Sequence, residues 1–218
     1  MPFGPFKSAS ETSPLLQALG LRQGDVSDAA VAVLKQLAAD RDALAEKLEA
    51  AAALADRDQL TPTLNRRAFL RELHRTMSEV ERYKTPAAVL YVDLDGFKAL
   101  NDGYGHAAGD AVLRHVGRLL TESVRESDVV GRLGGDEFGV ILNRVSAEEA
   151  TAKAKSLDEK INNSAILHAG VAHRVAASIG VHAIAMNEDP ETAIARADEA
   201  MYVDKNARRE QAQKFAAF

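Results

Sequence analysis

Gly134-Gly135-Asp136-Glu137-Phe138 interrupts an otherwise apolar, strand-like run from Val129 to Leu142, and no other stretch limits the fold as strongly. Two strand-forming segments parted by Gly-Gly predict a tight antiparallel hairpin, because glycine takes positive φ without steric cost. The turn then carries Asp136 and Glu137 on its rim. Acidic residues are poor strand formers, so two of them at this place are a local cost that points to a metal or a proton. The plain alternative is a surface hairpin with solvated acids.

Upstream, Val89-Leu90-Tyr91-Val92-Asp93-Leu94-Asp95-Gly96-Phe97-Lys98 is an apolar strand ending in two carboxylates and a turn. Periodicity places a helix over 65–83, a strand over 87–92 and a helix over 106–124. The hairpin strands follow at 129–133 and 138–142, then a helix over 147–161, a strand over 175–184 and a last helix from Pro190 to about Arg208. The order β-α-β-β-α-β is the ferredoxin-like motif, and an antiparallel-rich sheet with helices packed on it is the α+β class. In this topology Asp93 ends one strand and Asp136 sits at the hairpin beside it, so the two carboxylates converge at one sheet edge. Asp95 is expected to point away from Asp93 and to serve the turn.

Residues 1–25 are rich in Pro, Ser and Gly and read as a mobile arm open to an unknown protein partner. Residues 27–57 form one long helix behind a Ser27 N-cap, rich in Ala, Leu and charge and free of breakers. Leu34, Leu37, Leu44 and Leu48 fall on heptad a and d positions, continued by Ala51 and Ala55 and interrupted by Arg41. The seam predicts a parallel homodimer stalk over Ser27 to Arg57; the alternative is a helix lying along its own domain. The domain division expected is therefore 1–57 and 58–213.

The chain has 218 residues, 46% of them hydrophobic, enough for one full domain with an appendage. It contains no cysteine, so any metal rests on oxygen or histidine ligands, in keeping with a reducing compartment. A net charge of −5 argues against a broad nucleic-acid surface. Neither a membrane span nor a secretory signal is visible, and the expected location is cytoplasmic.

With these residues in place the chain resembles the GGDEF family of diguanylate cyclases. DLDGFKALNDGYGHAAGD, from Asp93 to Asp110, matches the family's first signature, and Gly134 to Phe138 matches its second. Asp58-Gln59-Leu60-Thr61 through Asn65-Arg66-Arg67 matches the domain entrance, and Ala197 to Tyr202 with Lys205 matches the closing motif. The resemblance runs from about Asp58 to Glu210. It implies the same α+β fold elaborated as a polymerase-like palm, with Asp93, Asp136 and the Leu94 carbonyl holding Mg²⁺, or Mn²⁺ in its place. Glu137 either binds a second ion or helps deprotonate the attacking hydroxyl.

The resemblance also makes Gly96, Phe97 and Lys98 the triphosphate cradle, at the opening of a helical turn where backbone N–H groups face phosphate oxygens. Lys205 and Arg209 are then expected over the β and γ phosphates. Here the chain departs from the family's Lys-x-x-Gly-Arg-Asn: it reads Lys205-Asn206-Ala207-Arg208-Arg209-Glu210, and losing the glycine bears on how the helix ends. Asn101 and Asp110 match the guanine readers, since a carboxylate accepts from guanine N1–H and N2–H₂ while an amide serves the remaining edge. Arg125 and Asp128 form an RxxD placed like the family's product-inhibition site, where arginine grips guanine O6 and N7; the alternative is a helix-end ion pair.

The resemblance thus implies a homodimeric cyclase that condenses two GTP into cyclic di-GMP and two pyrophosphates, inhibited by its product. The rival readings are a catalytically weak receptor that binds GTP or cyclic di-GMP and signals to a partner, and an interaction module acting through its heptad helix.

Overall fold

The computed structural model describes Gly20 and residues 27–216, and of residues 49–54 and 207–216 the backbone alone. The arm expected over 1–25 therefore lies outside the described residues apart from Gly20. The chain divides into two compact units, Met1–Ala55 and Asp56–Phe218. The first holds helix α1 (Asp28–Ala55). Its N-cap is Ser27, whose hydroxyl accepts from the Ala30 N–H at 3.3 Å.

The second unit runs β1 (Leu64–Asn65), α2 (Arg66–Tyr83), β2 (Ala87–Asp95), α3 (Phe97–Tyr104), α4 (His106–Ser123), β3 (Val129–Arg132) and β4 (Glu137–Asn143). It continues with α5 (Ala147–Asn162), β5 (Ile166–His168), β6 (Val171–His173), β7 (Ala176–Ala183) and α6 (Pro190–Ala216). Side chains set the helix starts. Asn65 accepts from Ala68 N–H to open α2, and Ser146 with Glu149 forms a reciprocal capping box on α5. No helix among the described residues is long and apolar enough to cross a membrane.

The main sheet has the order β1-β3-β4-β2-β7, with β1 parallel to β3 and every other pair antiparallel. Strand β2 is central and buried on both faces. Ala88, Leu90, Val92 and Leu94 pack with Val112, Val116 and Leu120 of α4 and Leu157 and Ile161 of α5. Ala87, Val89 and Tyr91 join Phe69, Leu73 and Met77 of α2 and Ile194, Ala197 and Met201 of α6 on the other face. Two covered faces explain why β2 reads as a continuous apolar run.

Several details depart from the sequence reading. Strand β2 extends past Val92 to Asp95, because β7 pairs alongside it up to the Asp95–Ala176 register. The segment after Gly96 is a helix, α3, too short to show a helical period. Residues 166–173 form a separate hairpin, β5-β6, turned by Ala169 and Gly170 at φ 48° and 80°; Ala-Gly is a weaker hairpin signal than Asn-Gly. Helix α6 runs past the expected end near Arg208 to Ala216, with no glycine in the 205–210 stretch to stop it. Neither Gly134 nor Gly135 has a positive φ, so the hairpin does not use glycine for the backbone freedom expected of it.

A two-sided clasp holds this hairpin. Arg132 donates from Nη2 and Nε to the Gly135 carbonyl at 2.7 and 3.1 Å, and its Nη1 lies 3.3 Å from Asp58 Oδ1. Asp58 also accepts from the N–H groups of Leu60 and Thr61 and from the Thr61 hydroxyl. Burial alone would raise the Asp58 pKa, but the Thr61 hydrogen bonds, Arg132 and the Leu60 N–H hold it below the ordinary 3.8.

A Cβ at Gly180 would lie 2.0 Å from the Ala197 carbonyl oxygen and 2.3 Å from the Met201 nitrogen, both backbone atoms of α6. Gly180→Ala must therefore push the helix off the sheet, and we expect a loss of about 3 kcal/mol in urea unfolding; a loss under about 1 kcal/mol contradicts this packing. For Asp58 the folded-state pKa is depressed, so its contribution is present above the unfolded value and is lost as pH falls through the folded one. Asp58→Asn should cost about 1–2 kcal/mol at neutral pH, and its deficit against wild type should shrink in unfolding measured below about pH 4.

Candidate active site

Alternation along β2 builds the site. Side chains two apart on a strand share a face, so Asp93 and Asp95 lie on the same side as Val89 and Tyr91, under α6. The expectation that Asp95 points away from Asp93 is thus corrected: with β2 extended to residue 95, both carboxylates meet one ammonium. Lys205 of α6 donates to Asp93 Oδ1 and lies 3.0 Å from Asp95 Oδ1. The Ser178 hydroxyl of β7 donates to the other Asp95 oxygen at 2.9 Å. Asp95 is therefore a member of the cluster as well as a fold-stabilising group.

Glu137 opens β4 directly opposite Asp93 in the antiparallel register, which puts two like charges face to face across the ladder. Its carboxylate accepts from the Tyr91 hydroxyl and folds back over Gly134, where a Cβ would lie 2.4 Å from Glu137 Oε2. A side chain at 134 would displace the Glu137 carboxylate from this place. Burial, the Glu137 hydrogen bond and the surrounding carboxylates push the Tyr91 pKa far up, so Tyr91 remains a donor. The Asp136 carbonyl accepts from the Leu94 N–H at 3.3 Å, which ties the hairpin turn to the end of β2. Burial, followed by the charges of Asp93 and Glu137, raises the Asp136 pKa against the pull of Lys205. Burial acts downward on Lys205, but its hydrogen bonds to Asp93 and Asp95 leave its pKa raised.

This donor set suits a hard divalent cation. Among the described residues no three acidic or histidine side chains form a ready-made metal cage. Mg²⁺, however, takes one or two carboxylates and completes its shell with water and phosphate oxygens. The crowded carboxylates that raise the Asp136 pKa already attract a cation, and Lys205 supplies one. Lys205, expected over the phosphates, rests here on Asp93 and Asp95. The Arg209 side chain lies outside those described.

At the end of β2 the backbone turns sharply. Gly96 adopts φ 72° and starts α3, whose first residues are Phe97, buried, and Lys98, exposed. Asn101 sits on α3 and Asp110 in the first turns of α4, with Gly105 between the helices at φ 81°. Asn101 Oδ1 is buried without a hydrogen-bond partner, whereas half-exposed Asp110 has Arg114 one turn along at 3.7 Å.

Arg125 and Asp128 lie in the turn between α4 and β3, and the structure shows an arrangement other than an ion pair. The Arg125 backbone N–H donates to Asp128 Oδ2 and the Asn143 N–H to Oδ1, both at 3.0 Å. Asp128 thereby fastens the turn to β4, and the Arg125 guanidinium forms no ion pair with it.

The sequence reading missed Tyr91, Arg132 and Ser178. Tyr91 stands two residues before Asp93 on the same face, a signal available from alternation. Arg132 borders the hairpin glycines. Ser178 carries no signal until its register against Asp93 is known.

Comparison with known proteins agrees with this geometry. The chain is 39% identical over 156 residues to a protein of Escherichia coli (strain K12) named "Probable diguanylate cyclase DgcE", covering 71% of this chain and 14% of the relative. It is 36% identical over 162 residues to diguanylate cyclase DosC of the same organism, covering 73% of this chain and 35% of DosC. The chain thus spans well under half the length of these curated relatives. The crystal structure of the coiled coil and GGDEF domain of DgcB from Caulobacter crescentus, in complex with c-di-GMP, superposes with a TM-score of 0.73 at 27% identity, covering 83% of this chain and 96% of that one. The sequence model of the family described as "Diguanylate cyclase, GGDEF domain" matches residues 55–211, most of the chain, and the chain belongs to the GGDEF family.

Proposed function

We propose that this chain is a diguanylate cyclase that joins two GTP into cyclic di-GMP with release of two pyrophosphates. The observation that carries the reading is the acidic cluster of Asp93, Asp136 and Glu137 where β2 ends beside the β3-β4 hairpin, next to the α3 opening that leads to Asn101 and Asp110. In each of two steps the 3′-hydroxyl of one GTP attacks the α-phosphate of the other, a P–O bond forms, and pyrophosphate leaves. The backbone at Gly96 and Phe97 and the Lys98 ammonium bind phosphate oxygens. Asp110 accepts from guanine N1–H and N2–H₂, and Asn101 serves the rest of that edge. Adenine offers no such donor pair and leaves Asp110 unmatched.

Asp93, Asp136 and the Leu94 carbonyl, with Glu137, would hold Mg²⁺ or Mn²⁺, which supplies charge stabilisation at the reacting phosphate. Glu137, fixed by the Tyr91 hydroxyl, stands where it can accept the proton of the attacking hydroxyl. Lys205 moves from Asp93 to the β and γ phosphates when nucleotide arrives, joined by Arg209. The substrate is a nucleotide of the cytoplasm, and there the reaction is placed.

One domain holds one GTP, so two must meet, and their encounter gains from orientation. We assign that role to α1, whose Leu37, Leu44 and Leu48 are 57%, 66% and 72% exposed in the single chain and whose spacing suits a parallel coiled coil. Such a tether raises effective concentration. Arg125 binds the guanine of the product at a site apart from the carboxylates. Asp128, holding two backbone N–H groups, keeps the turn that presents Arg125, and a spare lone pair on each oxygen remains for the base.

Two experiments test this reading. Purified chain incubated with GTP and Mg²⁺ should yield cyclic di-GMP on chromatography, and Asp136→Asn should yield none. The raised Asp136 pKa means that the folded state binds the proton more tightly, so ionised Asp136 works against stability at neutral pH. The variant should therefore melt no lower than wild type in metal-free buffer, which separates lost chemistry from lost fold; near-normal turnover at limiting Mg²⁺ refutes the assignment. For product inhibition, one bidentate arginine contact to guanine is worth about 1–3 kcal/mol. Arg125→Ala should raise the inhibition constant about tenfold or more in progress curves with added cyclic di-GMP, at unchanged initial rate. Equal sensitivity to product removes RxxD from the mechanism.

A further inference from the structure

We propose that Gly109 is a specificity-determining positioning residue, whose missing side chain seats the Asn101 amide beside Asp110. The inference rests on the guanine-reading role proposed for that pair. The geometry is specific. A Cβ on Gly109 would lie 2.0 Å from Asn101 Oδ1, 3.0 Å from Asn101 Cγ and 3.1 Å from Phe97 Cζ. The Asn101 amide thus lies directly on the bare α4 backbone, one residue before Asp110. Any side chain at 109 claims the same volume.

A second observation points to a ligand. Asn101 Oδ1 is buried and accepts no hydrogen bond. An unpaired buried amide oxygen is a cost that native folds rarely carry, and it recurs where a bound group completes the hydrogen bonding. The guanine N2–H that Asp110 does not engage is a donor of the right kind. The corner between α3 and α4 holds the arrangement in register: Gly105 N–H donates to the Asn101 carbonyl at 2.8 Å, and Gly105 takes the positive φ that lets the helices meet.

The fold has no comparable need for glycine at 109. Position 109 lies inside α4, where alanine has the higher helix propensity. The atoms that a methyl group would meet belong to the end of one rotatable side chain and the rim of another. Gly109→Ala should therefore turn the Asn101 amide out of its seat at little cost in stability, so stability and nucleotide recognition should separate.

The test measures binding of α,β-methylene GTP and α,β-methylene ATP to the full chain by calorimetry, with thermal unfolding in parallel. Gly109→Ala is expected to lose about tenfold in affinity for the GTP analogue, the scale of one or two hydrogen bonds, to bind the ATP analogue as before, and to unfold within a few degrees of wild type. Asn101→Ala should show the same loss, and adding Gly109→Ala to it should change nothing further, since the two act through one amide. If Gly109→Ala alone unfolds, recovery of the thermal transition in the double variant supports the seat. Wild-type affinity in Gly109→Ala, equal losses that add in the double variant, or unfolding of both overturns it. A wild-type chain with no preference for the GTP analogue overturns the guanine reading itself, a distinct outcome.

Discussion

Strand β2 is the constraint on which the remaining structure depends. It lies between β4 and β7, and both of its faces are covered. Because successive side chains alternate, each residue of β2 is committed to one of two helical layers. The register that buries Val89 and Tyr91 against α2 and α6 also delivers Asp93 and Asp95 to the α6 side, and the register that buries Leu94 carries the chain into the Gly96 turn. A slip of one residue would exchange the layers and send the carboxylates to the other face. Core packing and the placement of the acids are one decision.

That decision has an electrostatic cost. Glu137 faces Asp93 across the ladder, Asp136 is partly buried beside them, and its pKa rises through desolvation and those neighbours. Like charges so arranged oppose folding. Lys205 offsets part of this by its contacts to Asp93 and Asp95, and Tyr91 and Ser178 each engage a carboxylate. A fold optimised for stability would not gather these acids at the ends of neighbouring strands. The arrangement is understandable when a divalent cation and nucleotide phosphates take their place among the partners.

Much of this was legible in the sequence. Apolar runs broken by Gly and by acids located β2, β3, β4 and β7, and helical periods located α2, α4 and α5 to within a few residues. The βαββαβ order followed from that succession. Tertiary effects hid the remainder. Asp95 belongs to β2 only because β7 pairs alongside it, so a strand ended at Val92 loses the alternation that puts Asp95 with Asp93. The helix α3 is too short for its period to show, and the three-residue strands of the 166–173 hairpin lack a strong turn signal. Asp128 reads equally as an ion-pair partner or a base acceptor until the Asn143 N–H is seen on it.

Glycine shows the same limit of local reading. Gly134 and Gly135 invite an explanation from backbone freedom, yet neither has a positive φ. At Gly134 an added side chain would displace the Glu137 carboxylate, at Gly131 and Gly139 it would meet Phe69, whose ring lies within 3 Å of a Cβ built at either, and at Gly180 it would meet the backbone of α6. Each is a distance between elements remote in sequence or folded back on themselves, and none appears in the local pattern. In the second unit the positive φ values among the glycines fall instead at Gly96, Gly105 and Gly170, where the chain turns a corner between short elements. Of these, Gly96 and Gly105 bracket α3 and so fix where Lys98 and Asn101 stand relative to the end of β2. Backbone freedom therefore orients α3, while absent side chains make room for the groups packed against the strands and helices around it.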